Sequence, residues 1–318
     1  MTSILLIAER GENGAIGQST LQAVTAASGL GDPQVTVVVA GEAPASAKSL
    51  PVDRVVAITA TGPGDDGIFD SVTAELSALV SETNPDVVMF GKTDFGSVVG
   101  PRLAFRAGAA FAPDCVDISN EAGSISVKRP VYGGSALAEF EIASSPAIVT
   151  LRAGAFEPSA DTGTPVVESF DPGPPASSSI VVGETVAESR EGVRLEDANV
   201  VVSGGRGLGG PEPFSVLTDL ANVLGGAVGA SRAACDAGWI DHSHQVGLTG
   251  KSVSPDVYIA VGISGASQHM AGCSSSRAIV AINKDGDSNI FKEARFGVVG
   301  DWEKVLPSFL ATVRDLKA

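Results

Sequence analysis

Four apolar runs between Val200 and Asp301 each end in a loop of small residues with a few polar groups. Val200-Val201-Val202 leads into Ser203–Gly210, and Ala227-Val228 into Gly229–Arg232. Tyr258–Val261 leads into Gly262–His269, and Ala278–Ile282 into Asn283–Gly286. Short continuous apolar runs of this kind suit strands covered on both faces, as in a parallel sheet. The loops then emerge together at the carboxyl edge, where ligands of open α/β sheets bind. Glycines let the backbone approach a ligand, and the helix starts that follow attract phosphate. The pattern predicts a site for a long, phosphate-containing cofactor.

Single motifs within this segment say less. Gly205, Gly207 and Gly210 satisfy Gly-x-Gly-x-x-Gly between a strand and a predicted helix over Phe214–Leu224. The motif alone is weak, and a glycine-rich turn between packed elements explains it equally. Its nicotinamide form also wants an acid about 20 residues on. That place holds Ser231-Arg232, which serves either a 2′-phosphate or another cofactor edge. Gln245-Val246-Gly247-Leu248-Thr249-Gly250-Lys251 lacks the spacer of a phosphate loop and reads equally as a surface turn. His269, five residues after Ser264 and near a helix start, is a candidate contact for an anionic ligand. His242 and His244 have no carboxylate or cysteine set at ligand spacing, so they read as a solvated loop and no metal is expected.

The first half alternates strands and helices. Ser3–Ala8, Val35–Ala40, Val55–Thr59 and Val87–Gly91 read as buried strands. Gly17–Gly29, Glu42–Ser49 and Asp66–Thr83 have helical periodicity, and a further helix runs through Arg102 and Arg106. Beyond Asp117, Ser124–Val131, Ala136–Ile142 and Ala147–Arg152 read as antiparallel strands added to the sheet. Phe156–Ser179, rich in proline and serine, reads as an extended connection. A second strand-helix series opens near Leu195 and ends in a helix over Asp301–Lys317. The predicted class is α/β, with two doubly wound parallel-sheet domains. Residues 1–190 form the first, and residues 191–318 a Rossmann-like second, with the boundary near Arg190.

Composition removes several function classes. A net charge of −16 in 318 residues opposes nucleic-acid binding, which needs a basic surface. No apolar run approaches the roughly 20 residues of a membrane helix, so no direct membrane insertion is expected. The N-terminus reads as a first strand rather than a signal peptide. Cys115, Cys235 and Cys273 form no metal or disulfide pattern, which suits a reducing cytoplasm.

Taken in order, these loops resemble the FAD-binding domain of the electron transfer flavoprotein α subunit. The resemblance rests on Val202–Leu208, Val228–Ala234, Gln245–Lys251, Tyr258–His269 and Ala281–Asp285. The first half resembles that family's first α-subunit domain more loosely. The resemblance implies non-covalent FAD. Arg206, Ser231 and Arg232 would lie along the cofactor, with Arg232 near the isoalloxazine ring. Within Gln245, Val246, Gly247, Leu248 and Thr249, the threonine would donate toward flavin N5. His269 would sit by O2. Ser264, Gly265, Ala266, Ser267 and Gln268 would hold the pyrophosphate and ribityl region, and Asn283 and Asp301 the adenosine end. A cation beside the ring favours its uptake of negative charge, as an electron carrier requires. Leu248 departs from the glutamine of many relatives, so a side-chain hydrogen bond is absent there. Ser267 replaces a commonly apolar residue.

The implied protein is the larger subunit of a heterodimer whose β subunit, contacted by the first domain, completes the FAD site and binds AMP. It would take electrons from flavoprotein dehydrogenases, such as acyl-CoA dehydrogenases, and pass them to a membrane quinone reductase. It would have no substrate-level catalysis of its own. Two alternatives stand beside it. One is an NADP-dependent oxidoreductase using Arg232, and the other a structural nucleotide-binding subunit without a redox role.

Overall fold

The computed structural model describes residues 1–11, 13–58, 69–121, 123–134, 136–173 and 193–317. The chain divides into two compact units. One comprises Met1–Pro130 with Leu137–Ala187, and the other Val131–Ala136 with Glu188–Ala318. The boundary expected near Arg190 lies outside the described residues, as do Thr59, residues 66–68 and Ser177–Ser179.

In the first unit the strands are β1 (Thr2–Ile7), β2 (Pro33–Ala40), β3 (Arg54–Ile58), β4 (Val87–Gly91) and β5 (Ala110–Cys115). They continue as β6 (Asp117–Glu121), β7 (Ser124–Val131), β8 (Ala136–Ile142), β9 (Ala147–Leu151) and β10 (Val166–Phe170). The helices are α1 (Gln18–Ser28), α2 (Asp70–Thr83) and α3 (Asp94–Ala107). Among the described residues, seven strands form a sheet in the order β10-β3-β2-β1-β4-β9-β5. Every pairing in it is parallel. Alternate residues of each strand enter opposite cores. Ile4, Leu6, Val35 and Val37 pack on one side, and Leu5, Ile7, Val38 and Val88 on the other. Both faces being covered explains why these strands read as unbroken apolar runs. On α2, Val72, Leu76, Leu79 and Val80 are buried, at the three- and four-residue spacing of one helix face. Thr93 caps α3 by accepting from the Gly96 amide at 3.1 Å, and Gly108 ends it with φ 63°.

Four sequence expectations need correction. Ala147–Leu151 is parallel, paired between β4 and β5 from Val87↔Ala147 and Ala110↔Ala147 onward. All five of its residues are buried, the mark of a central strand. β6, β7 and β8 form a separate three-stranded sheet rather than an extension. The expected connection over Phe156–Ser179 contains β10, which pairs with β3 from Val166↔Arg54. Over Glu42–Ser49 only Ala47–Ser49 is helical, as a 3-10 turn. Pro44, with its fixed φ and missing N–H, interrupts that helical pattern.

The second unit contains β11 (Val200–Gly204), α4 (Phe214–Leu224), β12 (Ala227–Ala230), α5 (Arg232–Asp236), β13 (Val257–Val261) and α6 (Ser267–Cys273). It ends with β14 (Ala278–Asn283), α7 (Ile290–Glu293), β15 (Phe296–Val299) and α8 (Trp302–Lys317). The sheet order is β12-β11-β13-β14-β15, all parallel. Val201, Tyr258 and Ala281 enter one core. Val202, Ile259 and Ile282 enter the other, beneath α4 and α8. The chain reverses direction across the sheet between β11 and β13. The loops after those two strands therefore flank a crevice at the carboxyl edge.

Candidate functional site

A cavity of about 730 Å³ lies at that edge. Its wall draws on the loops after β11, β12, β13 and β14 and on Gln245–Thr249. Four neighbouring strands at about 4.8 Å apart give it a width of about 14 Å. That suits an elongated ligand, and the volume falls in the range of cofactor sites.

Glycine makes the crevice floor. A Cβ on Gly205 would stand 2.2 Å from the Gly262 carbonyl oxygen, and one on Gly207 would stand 2.8 Å from Gly262 Cα. Gly262 itself has φ 64°, a conformation that glycine adopts without strain. The Gly205 amide donates to the Val261 carbonyl at 2.8 Å, and the Gly207 amide to Gly262 at 2.9 Å. The loops after β11 and β13 are thus locked in backbone contact. Side chains there would push the two loops apart.

Thirteen of the sixteen sequence-predicted residues line the cavity, from Arg206, Ser231 and Arg232, through Gln245–Thr249, to Ser264, Ala266, Gln268, His269 and Asn283. Gly265, Ser267 and Asp301 lie outside its wall, each with other work in the chain. A Cβ on Gly265 would stand 2.3 Å from the Ile290 amide nitrogen, so this glycine lets the loop pack on α7. Ser267 turns its hydroxyl to Gln268 Oε1 at 3.3 Å. Asp301 accepts from the Glu303 amide at 3.1 Å at the start of α8. Sequence reasoning missed Asp236 and Ser288 on the wall, with Gly207, Ala233, Gly262, Ile263 and Asp285, which it had only placed in motifs. Asp236 stands four residues after Arg232 on α5, so the i,i+4 spacing would have found it.

Gln245–Lys251 is more than the surface turn offered as an alternative. Gln245 and Val246 are buried. The Val246 amide donates to Ala230 at 2.9 Å, Leu248 to Gln268 at 2.7 Å and Lys251 to Gln245 at 2.7 Å. The loop is stitched to β12 and α6 while Leu248 and Thr249 stay exposed. Lys251 pairs with Glu196 at 2.6 Å, which removes it from a phosphate-loop role. His242 and His244 also serve the fold: His244 Nδ1 meets the Val228 carbonyl at 2.8 Å, and His242 Nδ1 meets Gln245 Oε1 at 3.2 Å.

Two cations reach the cavity. Arg232 Nε bonds Asp236 Oδ2 at 3.2 Å, with both side chains more than half exposed. Its charge is therefore partly offset by an acid on the same wall. Arg206 makes no ion pair among the described residues.

His269 is buried, and its Nε2 lies 2.9 Å from the hydroxyl of fully buried Tyr258. Loss of solvation pushes its pKa down to about 4, against a smaller upward pull from the Val246 backbone. At neutral pH the ring is uncharged. When Tyr258 donates to Nε2, the better acceptor of the pair, the His269 proton sits on Nδ1. That Nδ1 is buried without a well-formed hydrogen bond, and so is Ser231 Oγ. Both residues line the cavity. Buried polar atoms of this kind are normally satisfied, and a bound group rich in carbonyl and phosphate oxygens would satisfy them. The donor set, the glycine floor and the width fit FAD.

Comparison with known proteins agrees with this geometry. Residues 4–175 match the electron transfer flavoprotein domain, and residues 194–274 match the electron transfer flavoprotein FAD-binding domain. The chain is 42% identical to electron transfer flavoprotein subunit alpha of Thermoanaerobacterium thermosaccharolyticum over 80% of both chains. It is 37% identical to the Mycobacterium leprae subunit over the full length of both. It is 39% identical to the Paracoccus denitrificans subunit over 96% of this chain and 98% of that one. The chain belongs to the electron transfer flavoprotein α-subunit family, with its FAD-binding domain in the second unit.

Proposed function

We propose that this chain, paired with an electron transfer flavoprotein β subunit through its first domain, carries electrons from flavoprotein dehydrogenases to a membrane quinone reductase. Acyl-CoA dehydrogenases of fatty-acid β-oxidation are the proposed donors, and the cytoplasm the proposed compartment. No described helix is long and apolar enough to cross a membrane, so electrons reach the quinone pool through a docking partner. FAD, when bound, supplies the reversible uptake of one or two electrons. The chain holds and tunes it. The Gly205-Gly207-Gly262 floor admits the pyrophosphate to the backbone. Asn283, Asp285 and Ser288 receive the adenosine end. Arg232 and Thr249 flank the ring, with His269 offering a neutral N–H.

The observation that carries this reading is the set of unmet polar atoms, Ser231 Oγ and His269 Nδ1, in a crevice wide enough for a dinucleotide. The NADP alternative is disfavoured by Asp236, whose carboxylate beside Arg232 would repel a 2′-phosphate. The test is anaerobic mixing of the co-purified heterodimer with catalytic acyl-CoA dehydrogenase and excess acyl-CoA. Bleaching of the flavin absorbance at a rate that depends on the dehydrogenase is expected. Flavin that stays oxidised would remove acyl-CoA dehydrogenases as donors.

A further inference from the structure

The side chains of His242, Gln245 and Thr249 form a continuous polar chain into the cavity. His242 Nδ1 lies 3.2 Å from Gln245 Oε1. On the other side of the same amide, Gln245 Nε2 donates to Thr249 Oγ1 at 3.0 Å. We propose that Gln245, anchored by His242, is a positioning residue that turns the Thr249 hydroxyl proton into the cavity.

The argument is one of hydrogen-bond direction. A hydroxyl has one proton and two lone pairs. With one lone pair taken by the Gln245 N–H, the Thr249 proton is free to donate to a ligand. If the amide were reversed, Gln245 Oε1 would compete for that proton and draw it away. His242 decides between the two arrangements. With a proton on Nδ1 it donates to Gln245 Oε1, which leaves the Gln245 Nε2–H facing Thr249. With a bare Nδ1 it would attract the amide N–H and reverse the chain. The proton on one ring nitrogen thus sets the direction of every bond that follows.

The local fold holds Gln245 in place for this task. The residue is buried at 5% exposure. Its amide donates to the His242 carbonyl at 3.0 Å, and its carbonyl accepts from Lys251 at 2.7 Å. A Cβ on Gly250 would stand 2.4 Å from the Gln245 carbonyl oxygen and 2.9 Å from its Cγ. The loop thus closes tightly over the side chain. The hydrogen-bonded chain ends at His242: its Nε2 stands 3.8 Å from Asp236 Oδ1, past hydrogen-bond reach, while Asp236 Oδ2 holds Arg232 Nε at 3.2 Å.

The inference rests on the reading that Thr249 donates to flavin N5, and the test separates the two. The co-purified heterodimer is reconstituted with FAD labelled with ¹⁵N at N5, whose chemical shift reports hydrogen-bond donation directly. Thr249→Val should move that signal. Gln245→Glu, nearly the same shape but an acceptor where the N–H stood, should move it by a similar amount and weaken FAD binding roughly three- to tenfold, the worth of one hydrogen bond. In the Thr249→Val background, Gln245→Glu should leave the signal unmoved, so the two changes are non-additive. His242→Phe, at an exposed position that cannot unfold the core, should give a shift between wild type and Thr249→Val. A wild-type N5 signal in Gln245→Glu and His242→Phe, with a shifted one in Thr249→Val, overturns the relay and leaves Thr249 in place. A wild-type signal in Thr249→Val overturns the Thr249 assignment and the relay with it.

Discussion

His269 links the flavin cavity to acid stability, and its burial sets the size of the effect. The imidazole has a folded pKa of about 4 against an ordinary value of 6.5. Between those values the unfolded chain binds a proton that the folded chain refuses. Stability from this group is therefore complete above about pH 6.5, falls as the pH drops toward 4, and levels off below that. A separation of about 2.5 pH units at about 1.4 kcal/mol each corresponds to about 3.5 kcal/mol at full extent. Both tryptophans, Trp239 and Trp302, lie in the second unit, so their fluorescence follows the unfolding of that unit by urea. Wild type and His269→Gln should be compared from pH 4 to pH 7. The variant should be less stable at pH 7, because the buried contact between Tyr258 and the imidazole is lost, yet should lose less on acidification, by up to about 3.5 kcal/mol. Parallel stability curves would show that His269 titrates normally. That result would remove the neutral N–H from the cavity wall.

The remaining expectations concern charge and backbone space. Arg232→Ala should lower the first reduction potential of bound FAD, and Asp236→Asn should raise it by freeing the same guanidinium. Solvent screening of this exposed pair limits each change to about 1 kcal/mol, on the order of 40 mV for one electron. Potentiometric titration reads both, and equal shifts of one sign would exclude electrostatic control by the pair. Gly205→Ala should destabilise the second unit by about 2–3 kcal/mol and abolish FAD retention, because its Cβ meets the Gly262 carbonyl. Wild-type flavin content and melting in that variant would mean that the loops after β11 and β13 do not touch.

Much of this was legible because buried parallel strands write themselves as short apolar runs. Val200–Val202, Tyr258–Val261 and Ala278–Ile282 all became neighbouring strands, and their small-residue loops became one cavity. Orientation was not legible. Ala147–Leu151 is as apolar as any strand here, and such a run reads alike in either direction; its burial on both faces comes from partners distant in sequence. β5 was hidden by Pro113 and by Asp114, whose φ of 63° breaks the pattern, and β10 by the flanking Pro165 and Pro172 and by its exposed side chains. At the site, Arg232 was visible as a cation but not as half of a pair. The direction of the bonds through His242, Gln245 and Thr249 depends on how the loop folds back over Gly250. No spacing rule carries that information.

Flavin content of the heterodimer tests the central claim most directly. The chain should be co-expressed with its β subunit, purified and examined by absorption before and after acid precipitation. One FAD per heterodimer is expected, yellow in the native protein, bleached by reductant and released into the acid supernatant, since no covalent link is made. A pure heterodimer without flavin absorbance that also fails to take up added FAD would contradict the account.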